Sequence, residues 1–168
     1  MKPTLHVIAP FHTVLNAAHS HCAFSGKAMR FSAMMQQAGY RCIEYSNGRS
    51  ESACENKVSV LSEAELPPPG LFKGDTAVIG STHWKVFNER LRQALRQNLN
   101  PGDIVCHTFG RSHIELVRAF INVYHVETGV GYPDTEFGCH ARVFESYAWM
   151  HWHAGQAHKR GDDYHFVI

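Results

Sequence analysis

Four short stretches hold most of the residues whose types and spacing suit chemistry: PFHTVLNAAHSH, SNGRSES, HTFGRSH and ETGVGYPDTEFGCH. The first carries His12, His19 and His21 and leads into a helix whose free backbone N–H groups could receive an anion. Its plainer reading is that His19 and Ser20 cap that helix or bind loop carbonyls. His107 heads the third stretch. In the last, Glu127 directly precedes Thr128 and Gly129, where a carboxylate is placed to face a cleft and accept a proton from a hydroxyl. An ion pair to Arg142 or Lys27 is its structural alternative. Asp134, Glu136 and His140 follow as ligand contacts or as solvated loop residues. Arg142 and Glu145 are one helical turn apart, which predicts a local ion pair.

Several other chemistries find no support. His19-x-His21-Cys22 and His151-x-His153 are fragments of metal sites, but no further pair at familiar spacing completes either, so no metal is expected. GVGY lacks the rest of a dinucleotide fingerprint, and Pro133 and Asp134 follow where the helix should open. No G-x-S-x-G elbow is present. Cys22 and Cys106 have histidine neighbours in sequence, which does not by itself create a thiolate–imidazole pair, and both read as buried small residues.

The elements that must position these stretches are legible from hydrophobic periodicity. TLHVIAP, Thr4 to Pro10, reads as a short buried strand. Phe24, Ala28, Phe31 and Met35 then recur at helical spacing, with Lys27 and Arg30 off the stripe and Gly39 as the stop. Tyr40 to Ser46 alternates like a second strand. Residues 51–80 read as irregular apart from TAVIG, a candidate short strand. Trp84, Phe87, Leu91, Leu95 and Leu99 mark the clearest helix. Asp103 to Gly110 is a strand running into glycine, RSHIELVRAF a helix opened by Ser112, and Asn122 to Gly129 another strand. ARVFESYAWMHW reads as one final helix with Phe144, Tyr147 and Ala148 facing inward, and YHFVI as a last strand. Strands alternating with amphipathic helices predict an α/β, Rossmann-like parallel sheet with helices on both faces. In such a sheet, ligands collect beyond the carboxyl ends of the strands, which is why the four stretches matter.

At 168 residues the chain fits one domain. A net charge of +1 gives no support to extended nucleic-acid binding. Five scattered cysteines without a C-x-x-C pair fit reduced thiols, and no apolar run is long enough to span a membrane, so a cytoplasmic protein is expected. Thirteen histidines are spread along the chain without a common spacing.

The segments SHCAFSGKAMRFSAMM and HVETGVGYPDTEFGCHARVFESYAWMHW together resemble the amino-terminal half of a GT-B-type glycosyltransferase. The similarity is to a bacterial and phage group distantly related to the retaining group 1 transferases. It runs from Leu5 to Ile168, strongest at these two segments and weak between Arg49 and Leu99. It implies two facing Rossmann-like domains, the first mainly holding the acceptor and the second a nucleotide-sugar. The second domain's paired-glutamate motif has no counterpart here, so the expectation is an acceptor-side half whose full protein is about twice this size.

The resemblance places Glu127 or Thr128 near the transferred sugar, where the wider superfamily more often has histidine. Oxocarbenium character would develop there as a diphosphate leaves, so donors and positive charge near the phosphates matter as much as a base. His21 and Lys27 are the natural donors. His21 joins Glu127 as a catalytic candidate. The substrate-binding candidates are His12, His19, Lys27, His107, Thr128, Gly129, Gly131, Tyr132, Asp134 and Arg142. The nucleotide-sugar enters as co-substrate and no cofactor is implied. The acceptor stays open among a polysaccharide, a lipid-linked sugar, a protein and a hydroxylated DNA base. The competing expectation is a non-enzymatic α/β module that holds a nucleotide, a sugar or a protein partner on the same loops.

Overall fold

The computed structural model describes residues 2–19, 21–66, 78–133, 138–157 and 165–167. Seven strands form one sheet: β1 Leu5–Ile8, β2 Cys42–Ser46, β3 Asn56–Ser59, β4 Ile104–His107, β5 Tyr124–Val130, β6 Ala141–Phe144 and β7 His165–Val167. The α-helices are α1 Ala23–Gln37, α2 Thr82–Asn98, α3 Ile114–Ala119 and α4 Tyr147–Gln156. All neighbouring strands pair in parallel, in the order β3-β2-β1-β4-β5-β6-β7. The expected Rossmann-like α/β sheet is therefore present. Its order reverses between β1 and β4, and in open parallel sheets such a reversal, at the carboxyl ends of the strands, is where ligands collect.

Side-chain alternation assigns each sheet face to its helices. Ile8, Ile43, Tyr45 and Val105 pack with Phe87, Leu91 and Leu95 of α2 and Leu116 of α3. Leu5, Val7, Cys42 and Cys106 lie on the other face, against Phe31 and Met35 of α1. Both faces are covered, so the central strands are buried throughout. Each such Leu, Ile or Phe contributes roughly 1.5–3 kcal/mol relative to exposure. The α2 stripe runs as its spacing predicts, with Ser81 capping the helix through the Trp84 N–H. Gly39, at φ +78°, ends α1 in the left-handed region that suits glycine.

Four expectations are corrected. ARVFESYAWMHW is two elements: Ala141–Phe144 extends as β6, and α4 starts at Tyr147 with Ser146 as its N-cap. Phe144 is buried, but Tyr147 is 66% exposed and Ala148 is also exposed. The segment after β2 is not wholly irregular, because Asn56–Ser59 forms an edge strand. Of TAVIG, Val78 to Gly80 lie in a bend and turn, while Thr76 and Ala77 fall outside the described residues. Finally, Ser112 lies within a 3-10 turn, Gly110–His113, that precedes α3.

Candidate functional site

The two segments separated by most of the chain meet at the carboxyl edge of the sheet. Lys27 of α1 donates from Nζ to the Gly129 carbonyl of β5 at 2.6 Å. The same ammonium pairs with Glu145 at 2.8 Å. It also stands over the Tyr132 and Phe24 rings, 4.9 and 5.2 Å from their centroids. Phe24 makes edge contacts with Phe109 and Tyr132, and Phe109 approaches the His12 ring to 4.5 Å. The rim thus combines the Lys27 ammonium with several aromatic faces.

Glu127 lies inside the sheet below this rim, fully buried. Its Oε1 accepts from the Tyr132 hydroxyl at 2.9 Å, and its Oε2 accepts from Arg142 Nε at 3.4 Å. The Tyr132 oxygen in turn accepts from the Gly110 N–H at 3.0 Å. One carboxylate therefore ties the loops after β4 and β5 to β6. The ion pair to Arg142 is the structural alternative foreseen for this residue, and the expected cleft-facing carboxylate is an interior one. The pairing foreseen between Arg142 and Glu145 is not what forms: β6 keeps Arg142 over Glu127, while Glu145, just past the strand, reaches Lys27.

The histidines separate into surface and interior groups. His21 is exposed, with its ring stacked at 6.4 Å on that of His19. His19 is buried and its Nδ1 pairs with Asn16 Oδ1 at 2.8 Å. It does not cap α1: the N-cap is Cys22, which makes no side-chain cap bond. Ser20 lies outside the described residues. His12 has its Nε2 3.8 Å from Cys22 Sγ, and burial followed by the neighbouring His83 and His19 lowers its pKa to about 4. Cys22 is half-buried beside the His12 imidazole, so its reading as a fully buried small residue is corrected. Cys106 is buried, as expected.

His107 is fully buried below the rim. His125 Nε2 donates to the Phe120 carbonyl at 3.0 Å, which leaves its Nδ1 to accept from His107 Nε2 at 2.9 Å. That tautomer exposes a bare lone pair at His107 Nδ1, for which no hydrogen-bond partner exists among the described residues. Burial, then His125 and His113, lower the His107 pKa well below the usual imidazole range. Thr128 is also buried, its hydroxyl donating to the His107 carbonyl at 3.2 Å. Gly129 and Gly131 line the rim, whereas Asp134 lies outside the described residues.

The structure thus gathers Lys27, Gly129, Gly131, Tyr132 and His12 at or beside this rim. It places Glu127, His107 and Thr128 beneath it and keeps His19 and His21 on the preceding loop. Sequence reading missed Glu145, Phe24, Phe109 and the Cys22–His12 approach as parts of this rim. The one signal available was positional, since Phe109 and Glu145 each follow a strand end closely. No group of three or more His, Cys, Asp or Glu side chains among the described residues is arranged to hold a metal. None of the described helices is long and apolar enough to cross a membrane. No protein-family model, no curated protein and no solved structure matches the chain.

Proposed function

We propose that this chain is the acceptor-side half of a glycosyltransferase, binding an acceptor at this rim while a second domain presents a nucleotide-sugar. The observation that carries the reading is the 2.6 Å hydrogen bond from Lys27 to Gly129. It joins, at a ligand-prone edge, the two segments on which the resemblance rests. Lys27 supplies positive charge at the rim, and the faces of Tyr132, Phe24 and Phe109 suit the apolar side of a sugar ring. Glu127 acts in this reading as a positioning residue that sets Tyr132 and Arg142.

One observation favours a binding module instead. Both Glu127 oxygens are engaged and the residue is fully buried, so it offers no open base to an acceptor hydroxyl. Labelled nucleotide-sugars incubated with sugar, lipid-linked, protein and hydroxymethylated-DNA acceptors separate the two. Transfer by a protein carrying both halves, lost with Lys27→Met in a folded variant, supports the enzyme. Saturable ligand binding without transfer supports the module. Absence of both contradicts the ligand-site assignment.

A further inference from the structure

The GVG turn makes room for side chains that belong to other elements. At Gly131, a Cβ would lie 1.9 Å from Glu145 Oε2, far inside any allowed contact. The carboxylate therefore occupies the volume that a side chain at 131 would fill. At Gly129, where φ is +62°, a Cβ would come 3.3 Å from Lys27 Cδ. The lysine stem crosses one glycine, the carboxylate sits on the other, and the two charges meet between them at 2.8 Å.

The partners of this pair differ in freedom. The Lys27 side chain is 13% exposed, against 42% for Glu145. Lys27 is additionally fixed by the Gly129 carbonyl and by the Tyr132 and Phe24 rings. Among the described residues, Glu145 has no side-chain ion pair besides that to Lys27. Its carboxylate can swing into solvent, and breaking a partly exposed pair costs little. What it would leave behind is a fixed ammonium beside a glycine-lined hollow.

We propose that Lys27 and the GVG turn form an anion-binding slot that Glu145 fills from within the chain, and that anionic oxygens of a ligand replace it on binding. The inference rests on the reading of this rim as a ligand site, and needs no sugar transfer. The shared ligand chemistry is a phosphoryl or carboxylate group. A multiply charged phosphoryl group has the stronger attraction to the ammonium, whereas a sugar acid would reproduce the carboxylate already seated there.

Titration of wild-type and Glu145→Gln protein with pyrophosphate and, separately, with glucuronate tests the slot. The Gln variant should bind at least one of these anions about tenfold more tightly than wild type, with the gain erased by adding Lys27→Met. Which anion gains assigns the source. If circular dichroism shows Lys27→Met to be unfolded, the Lys27 side-chain amine signal serves instead and should shift on anion addition in Glu145→Gln. Equal affinities in the two proteins, or a gain that survives loss of Lys27 or leaves its signal unmoved, overturn the proposal. Anion binding without nucleotide-sugar turnover by the two-domain protein retires the transferase reading and leaves the slot intact.

Discussion

A carboxylate inside a sheet has lost its water and depends on the donors that replace it. Glu127 finds them in Tyr132 and Arg142, and Glu44 finds them in three serines, Ser32, Ser46 and Ser52, at 3.2, 3.3 and 2.7 Å. For Glu44, burial still outweighs the serine hydrogen bonds and the more distant Lys57, and raises its pKa above 4.5. Between 4.5 and that raised value the folded chain holds more protons than the unfolded one, so this group's contribution to stability falls as pH rises. Glu44→Gln should therefore gain stability relative to wild type as pH goes from 4 to 8, read from urea midpoints. Parallel curves would contradict the assignment. Glu127→Gln should lower stability by roughly 1–3 kcal/mol at neutral pH, because the buried charge-assisted contact to Arg142 is lost, also measured by urea unfolding. The serine contacts of Glu44 were hidden in the sequence, whereas the Arg142 pair of Glu127 was one of the two alternatives read for that residue. Glu127 and Arg142 are fifteen residues apart and meet only because β5 and β6 pair in register, and Lys27 and Glu145 are brought together from opposite ends of the chain.

Elements with a strong period were legible and weakly patterned ones were not. The α2 stripe and the buried β1, β2, β4 and β5 announce themselves because one face or the whole element must leave water. β3 is an edge strand, with Asn56, Lys57 and Ser59 exposed, so it carries no apolar run. β6 is only Ala141–Phe144, and a helical period read across it from α4 absorbs it. Ser146 was the available punctuation: its side chain accepts from the Trp149 N–H at 3.3 Å and starts the helix. Ser146→Ala should cost about 1 kcal/mol, as typical N-cap losses do. A thermal or urea midpoint checks it, and no change would show that α4 is held by packing alone.

On the scale of the whole molecule, five histidines among the described residues, His6, His19, His107, His113 and His125, are buried. Burial lowers the pKa of His6, His107, His113 and His125, to about 3 for His113. Each binds a proton more readily when unfolded, so stability contributed by these groups is present above 6.5 and lost as pH falls toward the folded values. Each group contributes a slope of up to about 1.4 kcal/mol per pH unit in that window. Unfolding free energies measured from pH 7 to 4 should fall steeply, and a flat profile would mean these rings are not buried neutral. Composition alone left the thirteen histidines unexplained. The fold assigns most of its fully buried ones to strands or to the turn before α3, and few to the rim.

The sheet has two edges, and they offer rival sites. At the amino edge, a cavity of about 550 Å³ is lined by Arg96, Asp103, Phe120, Tyr124 and His140 among others. At the carboxyl edge, Lys27 meets the Gly129 carbonyl and the Tyr132 ring beside Gly131. Parallel-sheet geometry favours the latter. The most direct measurement is an NMR titration of the isotope-labelled chain with UDP-glucose, GDP-mannose and acceptor oligosaccharides. Saturable shifts centred on the amides of Lys27, Gly129, Gly131 and Tyr132 are expected. Shifts centred instead on Gly102, Asn122 and Tyr124, or none with any of these ligands, would contradict the carboxyl-edge assignment.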